Sequence, residues 1–463
     1  MHDLTWASAG EIAGAVSRGE VSALAVIEAT LLRISERNRA LNAFTAVTAE
    51  RARDKARAID VARAGGRALG PLAGAPFAVK NLFDVAGLAT LAGARINRDR
   101  APAARDATLI ERLEAAGAVL VGALNMGEYA YDFTGENVHD GPSRNPHALD
   151  RMTGGSSGGS GGAVAGGLVP IALGSDTNGS IRVPASLCGL FGLKPTYGRL
   201  SRARTFPFVA SLDHLGPLAR SAHDLALAYD AMQGGDSDDP VCADRPVEPS
   251  LPALGRGIDG LRIAVAGGYF RQGALPEALA AVERVSKALA IDHEVEIPQA
   301  QRARAAAYVI TASEGGALHL ERLKRRARDF DPAVRDRLIA GALIPASLVH
   351  KAQKFRRWYF DRVLQLFDSV DAIIAPATPG TAPRIGQQTF TLDGVELPVR
   401  PNLGIYTQPI SFIGLPVVAV PLPLDPLPIA VQIIAAPWRE DVVLAIAYAL
   451  ETAGIAAAPR PKE

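Results

Sequence analysis

The sequence predicts an α/β protein in which helices are layered on a largely buried sheet. Three observations carry this. From residue 70 onward, short apolar runs recur between Gly and Pro breaks, as strands buried on both faces do. Helical stretches alternate with those runs, which is the order expected of one α/β sheet. Hydrophobic residues make up 48% of the chain and charged residues 21%, a balance that can bury a large core.

Taken in order, residues 8–65 read as helices. Ser22 stands before Ala23-Leu24-Ala25-Val26-Ile27-Glu28 as an N-cap ahead of an amphipathic run. Residues 49–64 are rich in Ala and Arg and read as a helix with an exposed face. Strands are expected at 76–80, 118–121, 168–173, 261–266 and 371–375, and helices at 106–116 and 221–232. The polar, proline-bearing stretch 234–256 reads as a surface connector between two halves. Residues 301–365 read as helical and basic, with Lys324-Arg325-Arg326 and Arg356-Arg357 assigned to a solvated helix face. Residues 409–437 are apolar again, with many prolines. No internal repeat appears. The chain is read as one domain, 1–463, with a helical segment (1–68), a catalytic core (69–233), the connector and a second half (257–463).

Composition excludes several functions. A formal net charge of +1 gives no electrostatic case for binding nucleic acid or an anionic membrane. Two cysteines, Cys188 and Cys242, do not make a disulfide framework, so a reducing cytoplasm is expected. His139 and His147 are too loosely placed to suggest a metal pair, and no metal or organic cofactor is expected. The opening Met1-His2-Asp3-Leu4 has no signal-peptide character. The longest apolar runs, such as 413–424, are short and broken by Gly or Pro, so no membrane helix is expected.

Glycine costs conformational entropy, so a dense run of it needs a reason. Residues 151–162 read Arg-Met-Thr-Gly-Gly-Ser-Ser-Gly-Gly-Ser-Gly-Gly, and 174–184 read Gly-Ser-Asp-Thr-Asn-Gly-Ser-Ile-Arg-Val-Pro. A Gly/Ser linker is one reading. It should separate domains, whereas this run leads into Ala163-Val164-Ala165 and an apolar strand. A nucleophile elbow is another, since Gly154 to Gly158 fits G-x-S-x-G. That needs a buried strand just before it, and 145–151 is turn-like and polar. The third reading joins both serine segments to Lys80, at the exit of the short strand Pro76-Phe77-Ala78-Val79. Ser and Lys can replace Ser-His-Asp in acyl transfer. Ser180 precedes a helix start marked by Pro184, and the N–H groups of Thr177, Asn178, Gly179 and Ser180 can cradle the oxyanion formed when Ser180 attacks a carbonyl. Burial of Lys80 would leave neutral amine to act as a base; alone, a strand-end lysine would simply snorkel to solvent.

These pieces in order, continued by Cys188-Gly189 and Gly192-Leu193-Lys194-Pro195-Thr196-Tyr197-Gly198-Arg199, resemble the amidase signature family. A weaker echo follows in Gly414-Leu415-Pro416 and 427–432. The resemblance implies the amidase signature fold, a large mixed β-sheet covered by helices on both faces. It also implies a Ser-cisSer-Lys triad. Ser180 takes the place of the nucleophile, Ser156 that of the bridging residue after a cis bond from Gly155, and Lys80 that of the base. Asp176 and Arg182 match positions that brace the loop.

Two departures stand out: Asn178 occupies a position where most members have Gly, and Val183 replaces the Gln of the glutaminyl-tRNA amidotransferase A-type chain. Residues 127–142, 313–316 and 355–359 resemble the carboxybiuret-hydrolysing branch of s-triazine breakdown. That branch implies a small polar ureide or carboxylated amide as substrate, and release of ammonia. It also implies a small helical partner, similar to the C subunit of the amidotransferase. Assembly as a homodimer or heterotetramer is expected. Tyr131, Asn137 and His139 are candidates to hydrogen-bond a ureide, and Arg202 and Arg204 to hold a substrate carboxylate. The alternatives are the A-type chain of a glutamine-dependent tRNA amidotransferase, a general amidase of unrelated substrate, and a non-catalytic scaffold.

Overall fold

The computed structural model describes residues 4–462. In chain order its strands are β1 (Phe44–Val47), β2 (Pro76–Lys80), β3 (Val119–Leu124), β4 (Arg144–Asn145), β5 (Ala148–Met152), β6 (Ile171–Asp176), β7 (Phe191–Lys194), β8 (His214–Ala219), β9 (Ile263–Ala266), β10 (Glu294–Val295), β11 (Ala372–Pro376), β12 (Thr389–Leu392), β13 (Val395–Pro398), β14 (Val417–Leu422) and β15 (Ile429–Ala435). Eleven of them form one sheet, in the order β1-β3-β2-β6-β8-β7-β14-β15-β11-β9-β10. The pairs β4–β5 and β12–β13 are separate hairpins. The sheet is mixed: β3-β2-β6 and β11-β9-β10 run parallel, and the remaining pairs are antiparallel.

Every residue of β2, β3, β6, β7, β8, β11, β14 and β15 is buried. Helices therefore cover both faces, which is why these strands read as continuous apolar runs without alternation.

The expected strand at 76–80 forms at those residues. The strand expected at 168–173 begins three residues later, because Leu168 closes the turn after the helix Gly158–Ala165. One element inside the expected helical segment is not helical. Asn42, in the left-handed region (φ 50°), ends the helix Ala23–Leu41, and β1 follows at the sheet edge. Asn38 Oδ1 accepts from the N–H groups of Ala43 and Phe44, which fixes that turn. Four residues between two long helices are too few for a period-2 pattern to register.

The glycine segment is not a linker. Residues 154–162 are buried throughout, and 158–165 form a helix. A Cβ on Gly159 would lie 2.6 Å from Ala43 O and 2.5 Å from Asn125 O, so only glycine lets these backbones meet.

Residues 234–256 connect the two sides of this sheet, since β7 pairs with β14. They are strapped to the surface: Asp236 accepts from Thr108 Oγ1 at 2.6 Å, and Asp239 pairs with Arg202.

Candidate active site

Parallel pairing of β2 with β6 aligns Val79 with Leu173. Lys80, the last residue of β2, then lies beside the polar end of β6. Its side chain is fully buried, and its Nζ donates to Ser156 Oγ at 2.7 Å, Ser175 Oγ at 2.8 Å and Ser157 Oγ at 3.1 Å. No carboxylate forms an ion pair with it among the described residues. Burial pulls its pKa down to about 7, against the attraction of Asp213, Asp176 and Asp132. A buried lysine held only by hydroxyls is costly as a cation and available as a neutral base.

Ser156 follows a cis Gly155–Ser156 bond. Its carbonyl accepts from Gly127 N, and Gly155 N donates to Phe133 O, so the loop is tied to 127–133. Ser157 bridges further: its Oγ donates to Ser175 O and accepts from Ser175 N.

The second segment turns on Asp176 and Arg182, both fully buried. Arg182 meets Asp176 through Nε at 3.0 Å and Nη2 at 3.1 Å, and Asp176 Oδ2 also accepts from Ile181 N. Burial alone would raise the Asp176 carboxyl; the Arg182 guanidinium outweighs it and holds the group well below the usual carboxylate range. Thr177 Oγ1 donates to Asp213 Oδ1 at 2.6 Å, and Thr407 Oγ1 donates to Asn178 O at 2.7 Å. Gly179 has φ 140°, and a Cβ there would lie 2.0 Å from Thr407 Oγ1. The N–H groups of Thr177, Asn178, Gly179 and Ser180 have no protein acceptor among the described residues. That is the disposition an oxyanion site requires.

Ser180 opens onto a small cavity lined also by Tyr131, Asp132, Phe133, Thr177, Asn178, Tyr308, Thr311, Arg337 and Gln408. Of the expected substrate contacts, the structure brings Tyr131 to this cavity and leaves the other four elsewhere. Asn137 is consumed by the loop: its Nδ2 donates to Gly93 O and Met126 O, and its Oδ1 accepts from His139 N and Asp140 N. His139 Nε2 lies 2.8 Å from the buried Glu128 carboxylate. Arg202 is paired with Asp239, and Arg204 with Asp238 and Glu111. Both arginines line a larger cavity that also reaches Ser175, a hydroxyl partner of Lys80, and Asp213, which holds Thr177.

The cation at the smaller cavity is Arg337, on the helix Pro332–Ala342. It lies 3.9 Å above the Tyr131 ring, donates from Nε to Ala333 O and from Nη2 to Tyr131 O, and forms no ion pair among the described residues. Charge density hid it, because 301–365 reads as one solvated basic face. Arg356 also departs from that expectation: its Nε reaches Phe412 O and its Nη2 reaches Ser211 O. Ser157 and Ser175, which hold Lys80, stand in the glycine-rich motifs, but nothing in their spacing marks them out from the other serines there.

The family model described as Amidase matches residues 25–444. AtzE of Pseudomonas sp. strain ADP, a subunit of 1-carboxybiuret hydrolase, is 56% identical over 449 residues, covering 96% of this chain and 98% of that protein. The A-type chain of the glutamyl-tRNA(Gln) amidotransferase of Azotobacter vinelandii is 40% identical and covers 98% of both chains. A solved structure of a vestigial protein complex, described as revealing the origins of an s-triazine catabolic enzyme, superposes with a TM-score of 0.97 at 55% identity, over 98% of this chain and 100% of that chain. A 6-aminohexanoate cyclic dimer hydrolase with bound substrate superposes with a TM-score of 0.88 at 29% identity, over 99% of each.

Proposed function

The chain belongs to the amidase family, and from that premise we propose that it is a serine amidohydrolase acting on a small, polar, ureide-like or carboxylated amide of the 1-carboxybiuret type. The observation that carries the reading is Lys80: a buried amine, free of any ion pair among the described residues, 2.7 Å from Ser156 Oγ at the end of β2.

Neutral Lys80 takes the proton of Ser156, and Ser156 takes that of Ser180. Ser180 Oγ attacks the amide carbon, and the N–H groups of residues 177–180 hold the oxyanion. The proton returns through Ser156 to the leaving nitrogen, the C–N bond breaks, and ammonia departs. Water then attacks the acyl-enzyme along the same relay and releases the acid.

Arg337 takes the substrate carboxylate in this reading, in place of Arg202 and Arg204, whose guanidinium groups are committed to carboxylates. Burial lowers the pKa of Arg337, so an anion arriving there relieves an uncompensated charge. Identity of 56% to a carboxybiuret hydrolase chain, compared with 40% to an amidotransferase chain, supports the hydrolase over the transamidase.

A small helical partner, in a heterotetramer or beside a homodimer, is part of the proposal. Its support is that these relatives are themselves parts of larger enzymes. We place the protein in the cytoplasm, where its two free cysteines stay reduced; no described helix is long and apolar enough to cross a membrane.

The test is ammonia release from a panel of carboxybiuret, biuret, allophanate, glutamine and aliphatic amides, with Ser180→Ala as control. Turnover of carboxybiuret, lost by about 10³-fold or more in Ser180→Ala with an unchanged melting temperature, is expected. Preference for glutamine would favour the transamidase, and a Ser180→Ala variant near wild-type activity would remove Ser180 as nucleophile.

A further inference from the structure

The reaction above does not use the carboxamide of Asn178. Its residue is 7% exposed and lines the small cavity beside Ser180. Both ends of the residue are pinned. Its backbone carbonyl accepts from Thr407 Oγ1 at 2.7 Å, and its Nδ2 donates to Thr311 Oγ1 at 2.9 Å. The remaining atom, Oδ1, is buried and has no hydrogen-bond partner among the described residues. A buried acceptor left alone costs free energy that the fold does not recover elsewhere, so its retention points to a donor that arrives with the ligand.

The donor's chemistry follows from the neighbours. The N–H groups of residues 177–180, free of protein acceptors among the described residues, are the ones assigned above to the oxyanion, and Asn178 carries its side chain from that same turn. A group reached by Oδ1 is therefore close to the attacked carbon, on the part of the substrate that stays bound to Ser180. In a simple amide the neighbouring position is a CH2, which has no hydrogen to donate. In a ureide it is a second nitrogen carrying N–H.

We propose that Asn178 is a specificity-determining residue, whose Oδ1 accepts a hydrogen bond from the retained N–H of a ureide, and that Thr311 is the positioning residue that orients the carboxamide. The inference rests on the hydrolase reading of Ser180. It converts that reading into a rule: the enzyme selects a carbonyl flanked by two nitrogens over one flanked by nitrogen and carbon. A hydrogen-bonding pocket rejects an analogue lacking the donor more strongly than an apolar pocket rejects an extra methylene.

A matched pair isolates this contact. N-carbamoylglycine and succinamate both carry a terminal amide and a carboxylate, and differ by NH against CH2 beside the amide carbonyl. Each is measured with wild type, Asn178→Gly and Thr311→Val, as substrate or as competitive inhibitor of whichever panel amide is turned over. Wild type should favour N-carbamoylglycine by about 10- to 100-fold. Asn178→Gly should bring the ratio to within about threefold, and Thr311→Val should lower it in the same direction by a smaller factor. An unchanged ratio in Asn178→Gly overturns the inference, whatever happens to the absolute rates. Should that variant not fold, an unchanged ratio in Thr311→Val overturns it instead. If wild type turns over no panel amide, the hydrolase reading falls and the inference falls with it.

Discussion

At the scale of single residues, the proposed relay makes Lys80 the group that sets the working pH. Its hydroxyl neighbours accept hydrogen bonds without supplying charge, and burial brings its pKa to about 7. The neutral amine is the active form in the proposed relay. Below pH 7 the lysine is protonated, so kcat/KM should rise about tenfold per pH unit and level off above neutrality. A profile from about pH 5.5 to 9.5 on the preferred substrate checks this, and a flat line would remove Lys80 as the titrating base. Lys80→Arg should be inactive at every pH, because a guanidinium stays charged. The folded pKa lies below that of an unfolded lysine, so the unfolded chain binds the extra proton between about pH 7 and 10. Native stability contributed by this group therefore rises with pH across that window. Lys194, buried and also brought to about 7, adds in the same direction.

Lys80, Ser156 and Ser180 were legible in the sequence because each stands beside strand or glycine signals that narrow its role. Arg337 was not, because a half-buried cation turned to a cavity and a solvated one look alike in a basic helix. Asn137 and His139 illustrate the opposite difficulty. Their residue types suit ligand binding, but a loop with many backbone groups to satisfy uses them first.

At the scale of elements, strands form at or near 76–80, 118–121, 168–173, 261–266 and 371–375 as expected, whereas β1, β7, β8, β14 and β15 were not read from the sequence and the glycine segment was legible only as a motif. A helix made of Gly158-Gly159-Ser160-Gly161-Gly162 contradicts propensity, and tertiary packing overrides it. Proximity is what the glycines provide: Gly159 touches the backbone of residues 43 and 125, which carry β1 and β3 to the site. Gly159→Ala should gain helix propensity of about 1 kcal/mol yet lose more through steric conflict with two backbone oxygens. A net destabilisation of about 1–3 kcal/mol is expected, together with reduced activity from displacement of Ser156 and Ser157. Thermal unfolding and turnover of the one variant check both. A stabilised Gly159→Ala would show that the backbones can separate without cost.

For the whole molecule, the two halves of the sheet, joined by the β7–β14 ladder, are tied together at the site by one guanidinium. Arg182 follows the Ser180 turn, yet its Nη1 reaches Gln432 Oε1 on β15 at 2.8 Å, and its Nη2 reaches Thr407 O and Ser411 Oγ. Gln432 in turn donates to Pro376 O on β11 and to Tyr406 O. The loop carrying residues 176–180 is therefore shaped by residues from the far half of the sequence. Removing one member of a buried ion pair leaves the other uncompensated, so Arg182→Met should cost about 3–5 kcal/mol and most of the activity. Gln432→Ala should cost about 1–2 kcal/mol, and the double variant less than the sum, because the two share one network. Arg18→Gln, which breaks an exposed pair with Glu20, should leave stability essentially unchanged. Because Asp176 is held below the usual carboxylate range, its share of the stability is fully present above about pH 4 and is lost only as pH falls through the depressed value. Denaturant unfolding at about pH 8 and about pH 3 separates these contributions. Additive losses in the double variant would mean that the two halves are joined by general packing and that the Arg182 network shapes the loop alone.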